Sequence, residues 1–331
     1  MAPRKTSFTN FLKQFRNRDA LPLLVIFAPI LFLLVADPGS FAVGWFFLER
    51  QIGRVGFIFV ILLLGWDFHD SRSKLHLTST KWRYALAGVV LAGVLAFYWI
   101  EVFYIDSVRI YVTSKLGVSQ LSTLSFPLAI EFFVFAIYCV AEAAILYSPR
   151  KILQTATPVI YAVGSGVLAL ADAYFPGDTL GFLQAWVPSV WDVVVFLLRL
   201  AGYHTLTGIL PTTLPEMVLN GNNLCVWGFK GFACFIINWQ CSGFVSMIIY
   251  NLVAAALILK LDAPRKRKLI YFAIGVLGTY FVNLIRITLI VLYVSYITMD
   301  LQIFHESIGE ILFIGWIIIY LLLVIRFENR A

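Results

Sequence analysis

The sequence predicts an all-α polytopic membrane protein. It has about eight transmembrane helices, one interfacial or broken helix, and a small β-hairpin-like outer loop ahead of Cys241. Three observations lead there. Of 331 residues, 61% are hydrophobic and only 13% charged, against about 45–50% and about 25% in a soluble domain. The apolar residues fall in long runs near the length a bilayer demands, about 20 residues. The basic residues cluster between those runs. One soluble globule cannot hide so much apolar surface, so a soluble enzyme, a coiled coil, collagen and a disordered chain are excluded. The net charge of +7 therefore reads as a topology signal and not as a nucleic-acid surface.

The spans follow from the apolar runs. They are Leu21–Ala36, Ile52–Phe68, Tyr84–Tyr104, Phe126–Leu146, Ile152–Tyr174, Ser242–Leu261, Leu269–Leu289 and Ser307–Ile325. A further run, Phe182–Tyr203, contains Pro188, Asp192 and Arg199. Residues 1–20 read as a basic cytoplasmic tail. No small-residue cleavage site closes the first run, so that span is expected to remain uncleaved.

Basic loops decide sidedness, since Lys and Arg accumulate on the cytoplasmic side. They are the tail (Arg4, Lys5, Lys13, Arg16, Arg18), the second loop (Arg72, Lys74, Lys81, Arg83), Arg150 with Lys151, and the dense Lys260, Arg265, Lys266, Arg267 and Lys268. All lie inside only if Phe182–Tyr203 does not cross. That run is therefore expected to be an interfacial or broken helix on the outer face, with both termini cytoplasmic. The chain then divides into the tail, an N-terminal bundle over 21–204, an outer loop over 205–241, and helices with a cytoplasmic C-terminus over 242–331. The loop predicts a strand at Glu216–Leu219, a turn at Asn220-Gly221-Asn222-Asn223 and a strand at Leu224–Phe229. A third strand is expected within Phe232–Trp239.

Composition also limits the chemistry. The cysteines Cys139, Cys225, Cys234 and Cys241 are too few and too scattered for a disulfide framework, and none forms CxxC. Four histidines without HExxH argue against a zinc protease. No cofactor or metal is called for.

Three positions stand out. Cys241 opens a span in Gln240-Cys241-Ser242-Gly243, where a helix N-terminus lowers a thiol pKa. A buried structural cysteine or a Cys234–Cys241 disulfide are the alternatives. Arg286 lies within an apolar run, where an arginine costs about 2.5–3.5 kcal/mol on insertion scales. It needs partners from the bundle unless it snorkels to the surface. His305 precedes the last span. With an unperturbed pKa of about 6.5 it suits a base for a thiol, or it is a solvated residue at a helix end. All three fall at outer ends of the last three spans. A thiol, a base and a fixed cation are the parts of an acyl-transfer site. Gln240, Ser242, Asn283 and Glu306 flank them as candidate supporting groups. Glu131 and Asp172, near outer span ends, are expected to rim the same cavity and pair with Arg286.

Cys241 in Cys-Ser-Gly, Arg286 in Asn-x-x-Arg-Ile and His305 in His-x-x-x-Gly together resemble the exosortase/archaeosortase family of membrane cysteine peptidases. The motif-bearing resemblance covers about residues 205–326. His305, where some branches carry arginine, makes the exosortase branch the closer match. Gln240 stands where acidic or small residues are common. The resemblance implies catalysis by Cys241, Arg286 and His305. It implies a substrate among exported proteins with a C-terminal sorting signal: a short motif such as Pro-Glu-Pro, a transmembrane helix and a basic cluster. It also implies that a Cys241 thioester forms and that the new C-terminus passes to an acceptor amine or to water. Membrane lipid is the other implied partner. Competing readings are a transporter using Glu131, Glu142, Asp172 and Arg286, a non-enzymatic assembly subunit, and a thiol-redox protein.

Overall fold

Backbone in lipid must satisfy its own hydrogen bonds, and the apolar runs accordingly form helices. The computed structural model describes residues 21–42, 53–71, 81–117, 124–147, 156–175, 181–206, 214–237, 242, 244–261, 263–297 and 309–328. In chain order the helices are α1 (Leu21–Ala36), α2 (Gly56–Ser71), α3 (Lys81–Phe103), α4 (Ile105–Lys115), α5 (Ser125–Leu146), α6 (Ala156–Tyr174) and the short α7 (Gly181–Gln184). They continue with α8 (Val187–Leu200), α9 (Phe244–Lys260), α10 (Arg265–Tyr296) and α11 (Gly309–Glu328). Among the described residues, α3, α5, α6 and α10 are long and apolar enough to cross a membrane. The chain is a mostly helical membrane protein.

The bundle centres on the antiparallel α5 and α6. Phe57 of α2 stacks on Phe132 of α5 at 4.4 Å and meets Phe135 edge-on at 5.7 Å. Gly166 admits the Phe133 ring against α6, and Gly164 admits Leu252 of α9. Outward positions such as Val89, Ile137 and Leu277 are large, apolar and exposed, which suits a surface facing lipid.

α10 has 32 residues and is about 48 Å long at 1.5 Å per residue. Its N-terminus carries Arg265-Lys266-Arg267-Lys268, hereafter the basic end; Tyr296 marks the far end. α8 runs beside the far half of α10, in the same direction. Trp186 meets Tyr280 at 5.7 Å, and Tyr203 meets Tyr296 at 6.4 Å. With 14 residues, α8 spans about 21 Å, short of a hydrocarbon core of about 30 Å. Its buried residues Val187, Val190, Trp191, Val194 and Leu198 form one helical face.

That face and α10 support a four-stranded sheet: β1 (His204–Thr205), β2 (Glu216–Asn220), β3 (Asn223–Gly228) and β4 (Gly231–Ile236), in that spatial order. β1 is parallel to β2; the other pairs are antiparallel. Asn220 pairs with Asn223, so the first turn is Gly221-Asn222 and not the expected four residues. Gly221 has φ 58°, a conformation that costs glycine little and is needed in tight hairpins. β4 ends at Ile236; residues 238–241 lie outside the described residues. Trp191 donates its indole N–H to the Asn222 carbonyl at 2.9 Å. At the other end of β3, the Lys230 N–H donates to the Ser295 carbonyl at 3.1 Å.

The cysteine expectation needs correcting. Cys225 and Cys234, opposite one another on β3 and β4, form a disulfide. Antiparallel register brings them together although nine residues separate them. Cys234 is therefore not available to Cys241, and a Cys234–Cys241 bridge is excluded. Cys139 is free and buried in α5.

Candidate active site

Arg286 stands on the far half of α10, ten residues before Tyr296. Gly275, Thr279, Asn283 and Arg286 recur at spacings of four, four and three, which puts them on one face of the helix. Thr279 and Asn283 are buried and Arg286 is half-buried. Two neighbouring helices pack along this stripe.

α9 is set by Tyr250. A Cβ on Gly275 would collide with the Tyr250 hydroxyl, so only glycine allows that approach. α9 is antiparallel to α10. Six residues back from Tyr250 reach Phe244, the first residue of α9; six forward from Gly275 reach Phe281. Each step is about 9 Å along the axis. The buried Ser242 lies just beyond Phe244, level with Asn283.

α11 is set by Trp316, whose indole N–H donates to the Thr279 hydroxyl at 3.0 Å. Its ring fills the space that a Cβ on Gly278 would take. Tyr320 donates to the Tyr271 carbonyl, and Glu328 meets Arg267 at 3.3 Å. These contacts make α11 antiparallel to α10. Seven residues back from Trp316 reach Gly309; seven forward from Thr279 reach Arg286. Gly309 is therefore level with Arg286, after the same axial step of about 10 Å.

The start of α9, the start of α11 and Arg286 thus share one level of the molecule. Of the expected site residues, Ser242, Asn283, Arg286 and Glu131 are described. Gln240, Cys241, His305 and Glu306 lie outside the described residues.

Glu131 belongs elsewhere. Its carboxylate is fully buried and pairs with Arg54, which reaches it through Nε at 2.9 Å and Nη2 at 2.5 Å. Nη1 of Arg54 binds Asp37 at 2.6 Å and Ser40 at 3.1 Å, and the Tyr98 hydroxyl donates to the Glu131 carbonyl at 3.0 Å. Glu131 compensates the buried Arg54 charge beside it. The expected pairing of Glu131 with Arg286 is therefore incorrect: Arg54, folded inward from the connector after α1, takes both oxygens. Asp172 accepts a hydrogen bond from Ser125.

Sequence reasoning missed Arg54. A signal existed: with Arg50 four residues before it, Arg54 is a basic residue at the end of a span that the loop charges assign to the outside, against the positive-inside trend. A cation there needs a buried partner or a reason to be wet.

The model of the transmembrane exosortase family matches residues 48–323. The chain belongs to the transmembrane exosortase family. No curated protein and no solved structure matches it. Exosortases are membrane-embedded sorting enzymes of the cysteine transpeptidase kind. The matched range contains Arg54, Glu131, the sheet, and all of α9 and α10, so the family resemblance extends well beyond the motif-bearing last third.

Proposed function

We propose that this exosortase is a cysteine peptidase and transpeptidase using Cys241, Arg286 and His305. The Cys241 thiolate attacks the scissile carbonyl of a C-terminal sorting signal and forms a thioester. His305 first takes the thiol proton and then gives it to the leaving amine. Arg286 stabilises the thiolate and the tetrahedral oxyanion. An acceptor amine or water resolves the thioester and releases the enzyme.

The observation that carries the reading is the common level of Ser242, Gly309 and Arg286. Cys241 is the residue before Ser242, and His305 lies four residues before Gly309. Two further points support it. The Cys225–Cys234 disulfide fits an oxidising, non-cytoplasmic compartment, and so favours that face for the sheet and the adjoining site. The disulfide also leaves Cys241 without Cys234 as a partner. In this reading residues 205–241 form the outer loop, both termini are cytoplasmic, and Asn283, Ser242, Gln240 and Glu306 support the three reacting groups.

The deciding experiment is the pH dependence of Cys241 alkylation in membranes by a membrane-impermeant reagent. The native chain is run beside Arg286→Ala and His305→Ala. A free cysteine titrates near 8.5. We expect labelling from outside with a lower pKa that rises in both variants. An accessible thiol titrating near 8.5 and unaffected by both substitutions would overturn the resting triad.

One observation favours the transport alternative. Glu142 of α5 is fully buried, and neither carboxylate oxygen has a hydrogen-bond partner among the described residues, a state that often marks an ion or proton path. That reading requires Glu142→Gln to abolish function and Cys241→Ser to preserve it; the peptidase reading requires the reverse.

A further inference from the structure

We propose that the edge of β4 that is unpaired among the described residues receives the extended segment preceding the substrate's transmembrane helix, as an added parallel strand. The proposal deepens the sorting-peptidase reading and rests on it.

The two edges of the sheet differ. On the β2 side, β1 adds a short parallel pairing, and the Leu206 N–H donates to the Met217 carbonyl at 2.8 Å. On the other side β4 is the terminal strand, paired only with β3 among the described residues. Natural edge strands are usually blunted by charge, proline, bulges or shortness. β4 reads Gly-Phe-Ala-Cys-Phe-Ile and has none of these. Ala233 and Phe235 pack inward on the α8–α10 cluster. Phe232 and Ile236 face out, 50% and 70% exposed. An apolar strand with a free edge is a template for another chain.

The course of β4 selects the occupant. It starts beside Ser295 near the far end of α10, where Gly228 and Lys230 touch that residue. It ends beside α7, where the Gln184 side-chain amide donates to the Ile237 carbonyl at 3.2 Å. The neighbouring Trp186 packs on Tyr280. β4 therefore descends along α10 from the level of Ser295 toward that of Arg286, and the chain then leads into Cys241. A protein held by a C-terminal membrane helix also descends from outside into the bilayer. Its extended segment runs in the direction of β4, so the pairing is parallel. Continued past Ile237, that segment delivers its next peptide bonds to the level of Arg286. Main-chain pairing supplies affinity, while alternate side chains meet Phe232 and Ile236 and supply selectivity.

The test uses a reporter ending in an extended segment, Pro-Glu-Pro, about 20 apolar residues and an arginine cluster. Proline is moved singly through the extended segment, which leaves the enzyme untouched. We expect processing to fall about five- to tenfold at every second position, where an N–H bonds to β4, and little between. In a Cys241→Ala background, Phe232→Cys and Ile236→Cys are then crosslinked to single cysteines along the reporter. Parallel pairing predicts that the preferred partner moves four residues toward the reporter's C-terminus from one variant to the other.

Processing without a two-residue period, crosslinks that move the opposite way, or crosslinks only between two enzyme copies would each overturn the strand proposal and leave the peptidase reading standing. In-register crosslinks to a reporter that native enzyme never cleaves would sustain the docking and overturn the peptidase reading.

Discussion

Gly228 lies directly against Ser295: a Cβ at position 228 would be 2.5 Å from the Ser295 Cβ and 2.7 Å from its Cα. The obstacle is largely backbone, so no rotamer change relieves it. Gly228→Ala is expected to lift the hairpin off α10 and to cost about 1–3 kcal/mol, as overpacking does. Thermal unfolding in detergent measures the loss. Native stability in the variant would show that the sheet does not need this seat.

Gly275 plays the same part between helices. A side chain there meets the tips of Tyr250 and Tyr320 together, and Tyr250 is fully buried and has no room to swing away. Gly275→Val is expected to separate α9 and α11 from α10, as bulk does at close helix contacts. Cys241 alkylation checks this, since its pKa should move toward the free value of about 8.5. An unchanged titration would mean that this seam does not set the site.

Arg54 and Glu131 form a buried pair at 2.5 Å. Arg54→Met leaves a carboxylate buried and uncompensated, which should cost about 3–5 kcal/mol. Arg54→Met with Glu131→Leu should recover most of that, since it removes both charges. Glu131→Gln should cost less than Arg54→Met, because Asp37 still holds Nη1 at 2.6 Å. Unfolding of the three variants side by side gives the order.

The Cys225–Cys234 disulfide closes a nine-residue separation. By chain entropy, its loss through paired Ala substitutions should cost about 2–3 kcal/mol. Thiol counting by mass spectrometry on unreduced, denatured protein should find only Cys139 and Cys241 free. Four free thiols would refute the bridge.

Much of the helical frame was legible because it depends on composition within one run. Leu21–Ala36 is a helix with the ends its apolar residues suggest, and Ser125–Leu146 differs by one residue at its start. What escaped depends on pairs distant in sequence or on very short elements. Arg54 and Glu131 are 77 residues apart, and nothing local to either announces the other. β1 has two residues, too few for any alternation. α4 follows α3 after the single break at Tyr104, so its polar residues Asp106, Arg109 and Lys115 resemble an ordinary loop. At the candidate site, Arg286 and Asn283 were legible because polar groups inside an apolar run carry a cost. The seam of Gly275 and Gly278 was not, because glycine marks a close approach only once the opposing ring is known.

The length of α10 has one more implication. At about 48 Å it exceeds a hydrocarbon core of about 30 Å, and the sheet and Arg286 are fixed to the same rigid rod. A substrate helix is not fixed to that rod; it floats to match the lipid. A difference of about 3–4 Å between membranes shifts such a helix by roughly one extended residue. Under the proposed peptidase reading, lipid composition then helps choose which peptide bond arrives beside Arg286, and the bilayer itself becomes a gauge of where the chain is cut.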